Sequence, residues 1–166
     1  MKRSDIEIMA PAGSYESLHA AIDAGANSVY FGVGRLNMRA QSAANFTLED
    51  MGQIVSIARE HGVKSYLTVY TVIYDEEIET LHATIDRACE VGVDAIIATD
   101  MAAIQYARSV GMAVHISTQS NISNIEAVRF FAQWADVVVL ARELDLVQVA
   151  RISREIERQR ITGPGG

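Results

Sequence analysis

This sequence has almost no cysteine, since Cys89 is the single one in 166 residues. One cysteine excludes an intrachain disulfide and any metal site built from cysteines alone. Cys89 follows apolar residues at helical spacing (Ile78, Leu81, Ile85 and Ala88). That pattern favours a small buried hydrophobe over a reactive thiol.

Positive charge and long apolar runs are also scarce. There are 14 basic against 21 acidic residues, a net charge of −7. This excess of negative charge argues against binding phosphate backbones by bulk electrostatics, although a local basic patch remains compatible with it. The longest apolar runs, such as VVVLA, are too short to cross a bilayer. The start MKRSDIEIMA has no signal-peptide core, so we expect a cytoplasmic protein without membrane contact.

What the sequence does have is a repeated strand–helix pattern, with 49% hydrophobic residues, as in an ordinary globular domain. Four glycines each stand about three residues before a predicted strand. Glycine just past the end of a helix adopts the left-handed backbone conformation, which turns the chain back into the sheet. Short connections between successive strands predict parallel neighbours with right-handed crossovers. The predicted strands are 6–10, 28–32, 63–70, 94–98, 113–117 and 136–141.

Two architectures fit this pattern, an open doubly wound sheet and part of a (β/α)8 barrel. The stretch GVGRLN (32–37) follows the second strand rather than the first and has Asn37 where a dinucleotide fingerprint needs glycine. Polar clusters follow nearly every strand, and a barrel gathers such clusters around one mouth. We therefore predict an α/β fold, a parallel TIM-barrel-like domain over residues 1–160 truncated to about six βα units, with a loop-like tail at 161–166.

Six strands cannot close an eight-stranded barrel, and ~250 residues is typical of the complete fold. Either the chain is a fragment that lacks its C-terminal part, or another chain supplies the missing wall. The first and sixth strands would then be exposed edges that favour self-association.

The stretch HISTQSN (115–121) carries the strongest site signal. Residues two apart on a strand share a face, so His115, Ser117 and Gln119 point to the barrel interior. Val114, Ile116 and Thr118 point to the helices. Unpaired polar groups inside a barrel are costly, so these side chains form either an internal hydrogen-bond network or a ligand-binding surface near the mouth. Ligand binding is favoured for Gln119 and Asn121, and both interpretations stay open for His115.

Further candidates follow other strands. Arg142 can hold a carboxylate or phosphate through two hydrogen bonds, or form a salt bridge with Asp100 or Glu143. Asn37 and Arg39 lie in the longest loop, 33–46, and allow the same alternatives. The predicted substrate-binding residues are Asn37, Arg39, Tyr70, Asp100, His115, Gln119, Asn121, Arg142 and Glu143.

Signatures of common hydrolases are missing, among them HExxH, CxxC and a Ser-His-Asp order. His115 and Ser117 share one strand face two residues apart, which does not suit proton transfer between them. No catalytic residue and no metal ligand is assigned from the sequence.

The ordered motifs MAPAGSYESLHAAIDAGANSVYFG, LNMRAQSAANFTLED, HGVKSYLTVYT, GVDAIIATD, HISTQSNISN and VVLAREL resemble the peptidase U32 family. The resemblance covers about residues 6 to 152. It implies an N-terminal barrel-like domain whose mouth is lined by Asn37, Arg39, Gln119, Asn121, Arg142 and Glu143.

The resemblance also implies an activity. Members named as collagenase-like proteases include oxygen-independent hydroxylases of a tRNA uridine, an rRNA cytidine or a ubiquinone precursor. These depend on an iron–sulfur cluster held by cysteines beyond the sixth strand–helix unit, and this sequence ends before that segment. We expect the intact protein to be a cluster-dependent hydroxylase acting on RNA bases, with this fragment alone inactive. The substrate of the intact protein would be RNA or a small molecule. The alternatives are a peptidase, or a non-catalytic unit that only binds or self-associates.

Overall fold

The computed structural model describes residues 6–34, 36 and 46–166. Strands and helices alternate along the chain. The strands are β1 Met9–Pro11, β2 Ser28–Phe31, β3 Lys64–Val69, β4 Ala95–Ala98, β5 Val114–Ile116 and β6 Val137–Val138. The helices are α1 Tyr15–Asp23, α2 Asp50–Glu60, α3 Ile78–Val91, α4 Met101–Ser109, α5 Ile125–Phe131 and α6 Leu146–Gln159, with short 3-10 turns at Asp75–Glu77 and Thr118–Ser120.

The six strands form one parallel sheet in the order β1-β2-β3-β4-β5-β6, curled into a half-barrel. A doubly wound sheet reverses its strand order at a switch point, and this order has no reversal. The predicted (β/α) half-barrel is therefore confirmed. Within the described residues, β1 and β6 each pair with one neighbour, which leaves two open sheet edges. Self-association through these edges stays a prediction.

The main core lies between the outer face of the sheet and the helices. Leu67, Ile96 and Val114 lie side by side on neighbouring strands, and each is fully buried. Their row packs with helix residues such as Ile54 and Ile104 in one continuous cluster. A parallel strand covered by helices reads as an almost continuous buried run, as β3 does.

Helix ends follow the sequence signals in most places. Asp145 accepts a hydrogen bond from the backbone N–H of Gln148 at 2.7 Å, which caps α6. Asn124 caps α5 in the same way, accepting from the Ala127 N–H at 3.0 Å. The turn after α3 needs glycine at Gly92, where φ is +80° and a Cβ atom would lie 2.5 Å from the Arg59 guanidinium.

Two local predictions need correction. Cys89 lies on an exposed face of α3 and is not a core residue. The first strand begins at Met9 rather than at residue 6, because the Ile8 N–H donates to the Asn27 side chain at 2.8 Å. In the part of the chain that is described, no helix is long and apolar enough to span a bilayer.

The tail 161–166 has no helix or strand, and it packs against the start of β6. The Gly165 N–H donates to the Asp136 carboxylate at 2.5 Å. A Cβ atom on Gly163 would lie 2.6 Å from the Ala135 carbonyl oxygen, so this approach requires glycine. Asp136 also faces Arg108 at 3.8 Å. The tail is thus fixed to the amino end of the sheet.

Candidate functional site

The inner face of the sheet carries aromatic and polar side chains in rows. Tyr30 lies beside Tyr66, and one row higher Thr68, Ile97 and His115 lie side by side. Tyr66, Ala95 and Ile97 form a second, small apolar cluster with Tyr30, Tyr70 and Ala113. Among the described residues this cluster contains strand residues and their direct neighbours, without a helix side chain. This part of the inner face is therefore formed by the strands themselves, with Tyr66 and Ile97 buried among their neighbours.

His115 lies on this inner face, as the alternation predicts, while Val114 and Ile116 are fully buried on the outer face. Its ring contacts Tyr66 edge to face, with centroids 4.7 Å apart. Burial lowers the pKa of His115 below its ordinary value, against a smaller opposite effect of Glu7 and Asp136. The imidazole is therefore neutral near pH 7 and forms part of the floor of the half-barrel.

Below this floor, Glu7 connects two strand residues at the amino end of the sheet. The Tyr66 hydroxyl donates to one carboxylate oxygen at 2.6 Å, and Lys64 donates to the other at 2.7 Å. Although burial raises the pKa of Glu7, the hydrogen bonds from Lys64 and Tyr66 lower it to about 2. The sequence gives no signal for this contact, because Glu7 is 57 residues from Lys64 along the chain.

At the carboxyl ends of the strands lies a cavity of about 410 Å³, here called the mouth cavity. Its apolar side is formed by Met9, Ile97 and Val139. Its polar and aromatic lining consists of Tyr30, Thr68, Tyr70, Ser117, Thr118, Gln119 and Arg142. Barrel enzymes keep their sites at this end of the strands, so the mouth cavity is the candidate functional site.

Three of the predicted site residues, Tyr70, Gln119 and Arg142, line the mouth cavity together. His115 lies deeper, and neither Asn121 nor Glu143 belongs to the described lining. Asn121 ends the 3-10 turn with φ +50°, a conformation that asparagine tolerates. Asn37 and Arg39 lie outside the described residues. Their assignment to the site, like that of Asn121 and Glu143, stays a prediction.

Asp100 and Arg142 are not partners. The Asp100 carboxylate accepts the Ala102 N–H at 2.8 Å and caps α4. Within the described ranges Arg142 forms no ion pair, so the salt bridge to Asp100 or Glu143 considered from the sequence is absent. The guanidinium is exposed. It is free to bind an anion at the cavity.

Thr118 shows where strand periodicity fails. Alternation places Thr118 on the outer face with Ile116, yet it lines the mouth cavity. The strand ends at Ile116 and the chain enters a 3-10 turn, where the two-residue period no longer applies. Tyr30 was also missed as a site residue, although its alternation with Val29 and Phe31 carries the signal.

The lining does not form a hydrolytic centre. The Ser117 hydroxyl accepts the Gln119 N–H at 3.3 Å, and the His115 ring packs on Tyr66. Throughout the described part of the chain there is no hydrogen bond between His115 and Ser117. A nucleophile needs a base within hydrogen-bond reach, and this pair lacks that geometry.

An iron–sulfur cluster does not fit the residues present. Such clusters are held by several cysteine thiolates, and the chain has one cysteine. Desolvation and the Asp86 carboxylate raise the pKa of Cys89, which disfavours its thiolate. No group of three or more His, Cys, Asp or Glu side chains among the residues described could hold a metal ion.

Comparison with known proteins agrees with this geometry. The family model described as peptidase family U32 matches residues 13–161. A collagenase of Porphyromonas gingivalis is 60% identical over 166 residues, which is 100% of this chain and 40% of that protein. The tRNA hydroxylation protein P1 of Bacillus subtilis is 32% identical over 91% of this chain and 36% of its own length. The chain thus spans about 40% or less of these relatives.

The fold is also similar to a solved structure. The U32 peptidase Mk0906 superposes with a TM-score of 0.74 over 95% of this chain and 66% of that one, at 15% identity. This likeness concerns the fold alone. Together with the family match over most of the chain, it agrees with the resemblance seen in the sequence motifs. The chain belongs to peptidase family U32.

Proposed function

We propose that this chain forms the substrate-binding half-barrel of a hydroxylase that modifies RNA bases. The observation that carries the proposal is the lining of the mouth cavity, with two tyrosine rings, an amide and an arginine that has no ion pair among the described residues. Tyrosine rings stack on bases, and arginine binds phosphate through two parallel hydrogen bonds. A relative 32% identical over most of the chain is named a tRNA hydroxylation protein, which supports the same substrate class.

In this proposal the chain binds and orients the base, while groups outside these 166 residues carry out the oxidation. An iron–sulfur cluster would supply the redox chemistry when bound, and its cysteine ligands would belong to other parts of a longer protein. The role of Arg142 and the tyrosines is to hold the nucleotide. The role of Ile97 and Val139 is to exclude water from one side of it.

The test uses cells that express the intact protein from its own gene. Arg142→Gln and Tyr70→Leu are introduced separately, and RNA nucleosides are quantified by mass spectrometry. We expect hydroxylated uridine or cytidine to fall strongly in both variants. Arg151→Gln removes an equal charge from exposed α6, outside the cavity, and should leave the nucleosides unchanged. Identical nucleoside profiles with and without the gene would refute the proposal.

A second candidate function, a peptidase, is favoured by the relative that is 60% identical and named a collagenase. The described part of the lining offers no nucleophile beside a base, which weighs against it. Purified intact protein should then cleave denatured collagen in the presence of inhibitors of contaminating proteases, and Arg142→Gln should reduce that cleavage. Absence of cleavage while hydroxylated nucleosides depend on the gene would decide for RNA modification.

A further inference from the structure

The six tyrosines of this chain fall into distinct groups. Three donate a hydrogen bond to a carboxylate: Tyr15 to Asp50 at 2.9 Å, Tyr66 to Glu7 at 2.6 Å and Tyr106 to Asp86 at 2.9 Å. Tyr74 is 62% exposed at the surface. Tyr30 and Tyr70 both line the mouth cavity, and within the described residues their hydroxyls have no hydrogen-bond partner. These two side chains are therefore available to a ligand.

The charge of the cavity differs from that of the whole chain. The chain has a net charge of −7, whereas Arg142 is the one charged side chain among the described residues that line the cavity. A negatively charged protein repels an extended phosphate backbone. A single arginine within apolar and aromatic surroundings suits a ligand that brings one phosphate and one flat ring.

The size of the cavity sets a further limit. At about 410 Å³ it lies in the lower part of the range of small-molecule sites. In duplex RNA both faces of each base are covered by stacking, so a tyrosine ring cannot reach them. An unpaired base exposes its faces and can enter such a cavity, at the cost of leaving its stack.

We infer that the mouth cavity takes one unpaired nucleotide, with its base against Tyr30 and Tyr70 and its phosphate on Arg142. This inference rests on the proposed function and narrows its substrate to single-stranded positions such as loops. Among the described residues Arg142 is the one charged side chain at the cavity, which gives one phosphate contact there. Binding should therefore depend weakly on salt, unlike that of proteins that follow the backbone over many nucleotides.

The test measures binding of this chain to a fluorescein-labelled pyrimidine oligoribonucleotide of about eight nucleotides, a length typical of single-strand sites. Fluorescence anisotropy is recorded for the single strand and for the same strand annealed to its complement, between about 50 and 200 mM NaCl. We expect the single strand to bind about tenfold or more tightly than the duplex, because one stacked base contributes that much. The slope of log K against log salt should be about −0.7, the value for one phosphate on a single strand.

Substitutions locate the binding site. Arg142→Gln should bring the salt slope close to zero, and Tyr70→Leu should weaken binding about tenfold through loss of stacking. Tyr70→Phe keeps the ring and should bind much more tightly than Tyr70→Leu. Arg151→Gln and Tyr74→Leu, outside the cavity, are the matched controls and should bind like the original chain. Thermal unfolding curves of all variants establish that each is folded.

The possible failures are distinguishable. Equal binding of duplex and single strand, or a salt slope of several phosphates, overturns the inference while nucleoside analysis can still support RNA modification. Equal losses in the cavity variants and their controls overturn the placement of the nucleotide. No binding to either RNA form overturns the inference as well, and gene-independent nucleoside profiles would overturn the proposed function separately.

Discussion

Replacement of Glu7 by glutamine tests the contact that ties the segment before β1 to β3. Glu7 accepts hydrogen bonds from Tyr66 at 2.6 Å and from Lys64 at 2.7 Å. Glutamine has nearly the same shape and can still accept from Tyr66, but it loses its charge. The variant therefore removes the charge and the acceptor oxygen for Lys64, while the packing of the half-barrel floor stays in place.

The magnitude follows from the pKa of Glu7, which falls from 4.5 to about 2. That fall corresponds to roughly 3 kcal/mol when each unit contributes 1.36 kcal/mol. The side chains of Lys64 and Glu7 are 56% and 36% exposed, so water screens their attraction. We expect Glu7→Gln to lower the free energy of unfolding by about 1 kcal/mol near pH 7. For a domain of this size the melting temperature should fall by about 2–4 °C.

The effect should depend on pH with a defined sign. Because the pKa of Glu7 is lower in the folded chain, its contribution is present above 4.5 and disappears as the pH falls toward 2. Urea unfolding of both proteins, followed by circular dichroism, should show a difference that shrinks by more than half at about pH 3. Glu157→Gln, on the exposed side of α6, serves as the control and should change stability by less than about 0.5 kcal/mol. A Glu7→Gln difference that stays constant from neutral to acid pH would refute this account.

Three further predictions concern single positions. Because burial lowers the pKa of His115, its ring should titrate below 6.5 in NMR spectra, and a midpoint at or above 6.5 would contradict the buried floor position. The contribution of the neutral ring to stability should be present above pH 6.5 and should be lost as the pH falls below 6.5 toward the lower pKa of the folded chain. Asp145→Ala removes the cap of α6 and should cost about 1 kcal/mol in urea unfolding, whereas Asp145→Asn should cost much less. Gly92→Ala should cost about 1–2 kcal/mol because of its positive φ and its approach to Arg59, and the same change in an Arg59→Ala background should cost less if the steric part is real.

Much of the fold could be predicted because one pattern repeats. Six short apolar runs, four of them preceded by a glycine at a helix end, indicated six parallel strands, and all six pair in chain order. Strand ends were less certain, because side-chain hydrogen bonds decide them. The Ile8 N–H donates to the Asn27 side chain rather than to a strand backbone, and no periodicity in the sequence indicates this bond.

The site was predicted in part for a similar reason. Tyr70, Gln119 and Arg142 follow strands directly, so parallel topology brings them to one cavity. Thr118 was placed on the wrong face because the chain leaves strand geometry at Ser117. Glu7 was missed because its partners are distant in sequence and its own segment has no regular structure. The exposure of Cys89 was also missed, because helical spacing indicates which side of α3 is buried but not how many residues that buried side includes.

The strand order has a consequence for how this chain is made. Each strand after β1 pairs with the strand synthesised immediately before it. A new strand that emerges from the ribosome can therefore pair with the free edge of a strand that is already made. Contacts between neighbours in sequence carry a small entropic cost of loop closure, which favours fast, stepwise growth from the N-terminus. Biogenesis can thus proceed one βα unit at a time, in the direction of translation.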